Sequence, residues 1–196
     1  TVDEAGNWIF NPDALDDGAY SFHTVVEDAG GNLSSASTAI GFTVDTGIPD
    51  AATGALSDNI THGGTTNENA PTFSGTAEIG TTVIIYNNNI ELDRVTVDEA
   101  GNWIFNPDAL DDGTYSFHTV VEDAAGNLSA ASTAINFTVD TGIPDPATGA
   151  LSDNITHGGT TNDNAPTFSG TAEIGTTVII YNNNIELDRV TVDEAG

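Results

Sequence analysis

Thr1-Val2-Asp3-Glu4-Ala5-Gly6 returns at Thr96 and again at Thr191, which sets a period of 95 residues across the chain of 196. The copies differ at few positions, among them Ala19/Thr114, Gly30/Ala125, Gly41/Asn136, Ala51/Pro146 and Glu68/Asp163. A repeat of this length is too long for one solenoid turn and suits a small domain with its own core. The second fixed point is Asp45-Thr46-Gly47-Ile48-Pro49-Asp50, which recurs unchanged at Asp140 to Asp145. Its Gly-x-Pro step cannot lie inside a regular strand, because proline fixes φ and brings no N–H to a ladder. The stretch therefore reads as a stiff joint, and the chain divides into 1–47 (the second part of a unit), 48–142 (a whole unit) and 143–196 (the first part of the next).

Within one unit the pattern is that of short strands and frequent turns. Pro71–Ala77, Thr81–Tyr86, Ile90–Val97, Asn102–Asn106, Thr114–Glu122 and Ser132–Val139 read as strands, and Ala55–Ile60 as a weaker one. Alternation puts Trp103 and Phe105 on the core face, then Tyr115, Phe117, Thr119 and Val121, then Ile135, Phe137 and Val139. Ile90 and Leu92 are expected to face the same way as Val95 and Val97, after a slip in register. His118 falls on the outward face, which alternation furnishes with Ser, Thr and Asn and with no aromatic platform. Asn87-Asn88-Asn89 is a tight turn, since asparagine tolerates positive φ. The fold class is all-β, a sandwich. Asp111-Asp112-Gly113-Thr114-Tyr115 and its copy Asp16-Asp17-Gly18-Ala19-Tyr20 have the shape of a tyrosine corner, as in tandem Ig-like sandwiches, and a core tyrosine on an alternating strand explains them equally well.

The charge balance restricts partners. Thirty acidic residues stand against two arginines, a formal net charge of −28. Nucleic acid and anionic membrane are poor partners and are not expected, because both are bound through Lys and Arg. No apolar run reaches the ~18 residues that a spanning helix requires, so direct membrane insertion is not expected. There is no cysteine, which rules out disulfides, thiolate metal sites and a cysteine nucleophile.

Such a chain repels itself when compact, and oxygen-rich acidic loops suit calcium. Counting turns puts Glu78, Asp98, Glu99 and the Glu122-Asp123 pair at the end where the chain enters from Asp45 and Asp50. Asp58 completes the candidate set. The other copies are Asp3, Asp28, Asp140, Asp145, Asp153, Glu173 and Asp193. A second acidic group, Asp108, Asp111 and Asp112, falls at the exit end and is a further candidate for metal, although turn chemistry also explains Asp111. The alternative for all of these carboxylates is a solvated acidic rim. Catalysis is not expected: the carboxylates sit on turns, no loop is long enough to wall a cleft, and no histidine has a triad partner.

Pro71-Thr72-Phe73-Ser74-Gly75-Thr76-Ala77-Glu78, Gly101-Asn102-Trp103-Ile104-Phe105, Leu110-Asp111-Asp112-Gly113, Glu122-Asp123-Ala124-Ala125-Gly126-Asn127-Leu128-Ser129 and Val139-Asp140-Thr141 follow one another in order. Together they resemble the bacterial Ig-like extender repeats of giant RTX-type adhesins exported by type I secretion. The resemblance runs the whole chain, although the spacing between Asp58 and Pro71 departs from the commoner pattern. It implies an extracellular, calcium-stiffened spacer that holds a ligand-binding tip away from the cell, with identical repeats of the same array as neighbours. The alternative is a repeat that binds carbohydrate or cells directly. The division of the chain carries one more expectation. Residues 143–196 of one molecule and 1–47 of the next should combine head to tail, since each alone holds half a core.

Overall fold

The computed structural model describes residues 6–57, 60–152 and 155–194. The chain forms two compact units, residues 1–141 and 142–196. Within the first, residues 6–47 carry strands β1 (Gly18–Phe22) and β2 (Ile40–Val44), an antiparallel pair with Tyr20 opposite Phe42. The residues that follow build a sandwich of two sheets.

Its strands are β3 (Ala55–Leu56), β4 (Gly64–Thr66), β5 (Phe73–Thr76), β6 (Thr82–Asn87), β7 (Ile90–Thr96), β8 (Asn102–Phe105), β9 (Gly113–Glu122) and β10 (Ile135–Val139). The larger sheet has the order β4-β10-β9-β6-β7 and the smaller β3-β5-β8. Every neighbouring pair is antiparallel except β4 and β10, which run parallel at the sheet edge. The second unit repeats only the first part of this plan: β11 (Ala150–Leu151) pairs with β12 (Phe168–Ser169), and β13 (Thr177–Asn182) with β14 (Ile185–Thr191).

The core follows the alternation of β8, β9 and β10. Trp103, Phe105, Phe117, Val121, Phe137 and Val139 are buried against Leu56, Phe73, Val83 and Ile85 from the other part of the unit. Phe73 stands at the centre, edge-on to Trp103 at 4.9 Å and tilted against Phe117 at 5.8 Å. Such aromatic contacts add roughly 0.5–1.5 kcal/mol each beyond the area they bury. Gly75 is required for the same packing. A Cβ there would lie 2.0 Å from the Thr53 carbonyl oxygen, so the strand crosses the incoming chain with no room for any side chain. The tyrosine corner forms in both copies, with the hydroxyls of Tyr115 and Tyr20 donating to the carbonyls of Asp111 and Asp16 at 2.8 Å. Asn88 and Asn89 adopt positive φ in the β6–β7 turn.

Two expectations need correction, and one strand falls outside them. Ile90 and Leu92 are exposed rather than inward. The register of β6 against β7 shifts between Ile85 and Tyr86, which face Asp93 and Glu91 and leave Leu92 as the extra residue. A bulge of that kind bends the strand and turns its tip away from the core. The edge strand β4 is only three residues long and begins inside a Gly-Gly pair that reads as a turn, and it is fixed by the ladder from Phe137–Val139. The outward face of the large sheet does hold aromatic rings: Tyr86 lies opposite His118 in the ladder and stacks on it at 5.1 Å.

One polar atom in this core is unmatched. Thr119 is 1% exposed and its Oγ1 finds no hydrogen-bond partner. Leaving a buried hydroxyl unpaired costs about 1–3 kcal/mol. Thr119→Val keeps the shape and removes the hydroxyl, so it is expected to raise stability by about 1 kcal/mol. Thermal or urea unfolding checks this, and a lower melting temperature contradicts it.

Candidate functional site

The pleated register sends three loops to one end of the sandwich. They join β5 to β6, β7 to β8 and β9 to β10, and they carry Glu78, then Asp98 and Glu99, then Asp123. Their proximity is visible in the backbone. Ala77 N–H donates to the Gly101 carbonyl, Val97 N–H to the Thr81 carbonyl, and Thr82 pairs with Glu122. Asp45 reaches the same end, because its carbonyl accepts from Asn127 Nδ2 at 3.0 Å. Asp50 precedes Thr53, which donates to the Thr76 carbonyl at that end.

The aspartates of these loops already have tasks. Asp98 Oδ1 accepts the N–H groups of Ala100 and Asn102, both at 2.8 Å. Asp123 Oδ1 accepts from Ala125 and Asn127 at 2.8 and 2.9 Å, while its Oδ2 takes Asn127 Nδ2 at 2.8 Å. Asp28 repeats the arrangement with Gly30 and Asn32. Each is an Asx turn closed by a glycine, Gly101 and Gly126 having φ of 81° and 90°, a geometry that asparagine or glycine enters most easily. The N–H donors stabilise the charged form. The Asn102 backbone N–H holds the Asp98 carboxyl below its ordinary range, and the Asn127 side chain does so for Asp123, as Asn32 does for Asp28.

A different contact governs the exit end. Asp112 Oδ1 accepts both the N–H and the hydroxyl of Thr141, at 2.9 and 2.8 Å. Asp17 holds Thr46 the same way, with both distances 2.9 Å. The Thr141 N–H is the main reason that the Asp112 carboxyl lies below its usual range. Each joint thus begins with a threonine latched to the preceding domain. The sequence offers Asp112 as part of a second acidic group that could take metal, and the latch is not among its expectations. The pairing of Asp-Asp-Gly with the threonine of Val-Asp-Thr-Gly, 29 residues apart, was the available signal. Asn127 was missed too, although the Asp-x-x-Gly-Asn pattern marks it.

The predicted ligands are therefore distributed. Asp45, Glu78, Asp98, Glu99 and Asp123 belong to one end, and Asp140 lies at the other, its N–H bonded to the Thr66 carbonyl. Asp28 caps its own loop. Asp145, Glu173 and Asp193 belong to the second unit. Asp3, Asp58 and Asp153 lie outside the described residues. Among the described residues, no three His, Asp or Glu side chains converge as a cation site requires. The donor set as placed suits turn capping and does not form a ligand cage, and no geometry for a metal follows from it.

The bacterial Ig-like domain family matches residues 1–46 and again residues 49–141. No curated protein matches the chain significantly.

The capped aspartates give stability a definite pH dependence. A carboxyl whose pKa is lowered on folding contributes stability above its unfolded value, and that contribution disappears as pH falls through the folded value. Asp123→Asn preserves an acceptor but does not titrate. The melting temperature of the parent is expected to exceed that of Asp123→Asn by a constant margin above about pH 5, with the gap closing below about pH 4, where carboxylates protonate. Self-repulsion runs the other way with pH and is nearly common to both proteins, so the difference isolates the cap. A gap that does not depend on pH contradicts the assignment.

Proposed function

The chain belongs to the bacterial Ig-like domain family, and from that premise we propose that it is a spacer segment of a large cell-surface adhesin. Bacterial Ig-like domains are commonly parts of extracellular or surface proteins and serve there as structural repeat modules. The observation that carries the reading is the way one domain is threaded. The chain enters beside Asn127 and leaves beside Asp112, at opposite ends of the ten-residue strand β9. At ~3.3 Å per residue those ends are about 30 Å apart. A domain entered at one end and left at the other suits a repeat that serves as a spacer. Pro49 is buried in the joint, which limits the conformations available there.

Calcium stabilisation is the finer part of the proposal. Its support is the net charge of −28 without disulfides, together with the collection of three acidic loops and Asp45 at one domain end. Export by type I secretion and projection of an adhesive tip rest on the resemblance of the motifs to extender repeats. A direct adhesion role has one observation in its favour. A shallow polar depression on the large sheet is lined by Asn88, Ser116, Asn136 and Thr138 beside Gly63 and Tyr115, a chemistry that suits sugar hydroxyls.

Melting the polypeptide in calcium and then in chelator tests the finer part. A ligand held only by the folded state stabilises by RT ln(1 + [L]/Kd), about 4 kcal/mol per site at a thousandfold excess. The melting temperature is expected to rise with calcium and fall with chelator, and an unchanged value overturns calcium stabilisation. The same polypeptide on a glycan panel separates the two roles. No retention is expected of a spacer; saturable binding lost in Asn88→Ala or Asn136→Ala establishes the adhesion module instead.

A further inference from the structure

Between Val44, the last residue of β2, and the buried Pro49 lie only four residues. On the near side, Val44 pairs with Gly18 in the β1–β2 ladder. On the far side the chain is fastened within a few residues of Pro49. The Thr53 N–H donates to the Thr76 carbonyl at 2.9 Å, and the Thr53 carbonyl accepts from Trp103 Nε1 at 3.1 Å. The freedom of residues 6–47 relative to the domain that follows is therefore concentrated in residues 45–48.

One peptide group in that stretch is bonded from both sides. The Thr46 N–H and the Thr46 hydroxyl both donate to Asp17 Oδ1, each at 2.9 Å. The carbonyl of the same peptide, that of Asp45, accepts from Asn127 Nδ2 at 3.0 Å. Asp17 stands directly before β1, and Asn127 lies in the β9–β10 loop of the domain after the joint. The peptide is planar and trans, so its N–H and C=O point in opposite directions. Asp45 Oδ1 then takes the Gly47 N–H at 3.0 Å, which sets the next turn of the chain.

Chemistry fixes the orientation of Asn127. Its side-chain nitrogen carries two protons. One goes to Asp123 Oδ2 at 2.8 Å and the other to the Asp45 carbonyl. Turning the amide over sets its oxygen against a carboxylate and a carbonyl, neither of which can donate. The Asp123 cap thus also aims Asn127 at the joint. On the other side the acceptor is a carboxylate, and charge-assisted bonds are stronger than neutral ones.

We propose that the Asp45–Thr46 peptide is a clamp. Asp17 grips it from residues 6–47 and Asn127 from the following domain, and together they fix the angle between the two without a bound cation. The grips act in series, so the link is lost when either is lost. The first grip recurs where Asp112 holds Thr141. A clamped joint suits a spacer but does not rest on that reading, since it concerns only how the two bodies move.

The absence of cysteine from the chain allows spin labels to be placed at chosen positions. Thr43→Cys on β2 and Ile104→Cys on β8, both exposed, put one label on each side of the joint. Dipolar EPR on the labelled 196-residue polypeptide is expected to give one narrow distance distribution. It should stay narrow in chelator, at a temperature where the domain remains folded. Asp17→Ala and Asn127→Ala should each abolish the single narrow peak. The double variant should broaden the distribution no further than the broader single one, as expected of coupled residues. Thr81→Val removes the hydroxyl bond to the Glu78 carbonyl in a neighbouring loop without touching the joint, and it should leave the peak narrow. A distribution that is narrow only in calcium overturns a cation-free joint. A broad distribution in the parent, a narrow one retained in either single variant, additive broadening in the double variant, or equal broadening by Thr81→Val overturns the clamp itself. None of these outcomes bears on surface location or adhesion, so the spacer reading stands or falls by its own tests.

Discussion

The structure depends on one division of labour inside each repeat: neither half of a unit contains a complete sheet. In the large sheet β9 needs β6 on one side and β10 on the other, while β4 is held only by β10. In the small sheet β5 is held between β3 and β8. The partners come from both sides of Val97. The core repeats that division, with Phe73, Val83 and Ile85 supplied by the first half and Trp103, Phe117 and Phe137 by the second. Hydrogen bonding and apolar burial are therefore satisfied by the same event. Stability arrives only when both halves meet, because an isolated strand pair with one greasy face is marginal in water.

Charge works against that event and is handled locally. With two arginines among thirty acids, ion pairing has little to contribute, and exposed ion pairs are weak in any case. The chain instead gives its aspartates N–H donors. Asp98, Asp112, Asp123 and Asp28 each accept at least two hydrogen bonds from N–H or O–H donors, which favours the charged carboxylate without a cation nearby. The same residues shape the loops and start the joints. Acidic composition, turn geometry and domain linkage thus have one physical source, and a bound cation would add to these bonds or compete with them.

Much of this was legible in the chain. The repeat is written in identity at 95-residue spacing. The inward set of β8, β9 and β10 is written in period-two alternation, because a strand buried on one face and solvated on the other admits little else. The tyrosine corner was legible for a similar reason: its donor and acceptor lie four residues apart, so local spacing contains the whole interaction. Gathering of the three acidic loops at one end followed from counting turns in an antiparallel sandwich.

Other features belong to the tertiary structure alone. Sequence could not direct Ile90 and Leu92 outward, because the bulge opposite Ile85 and Tyr86 depends on how a partner strand is paired. Nor could it find β4, whose three residues become a strand only when Phe137–Val139 lies alongside. The stacking of Tyr86 on His118 joins residues that are distant in the chain and adjacent only in the ladder. The candidate ligands divide on the same line. Sequence determined which residues are carboxylates and which turns bear them. The caps of Asp98 and Asp123 lie within their own loops, on amides two and four residues on, so local spacing contains them, whereas tertiary structure decided that Asp112 grips Thr141, 29 residues away. A side chain's charge is fixed by its identity, but its partner is fixed by whichever donor the folded backbone brings within three ångströms.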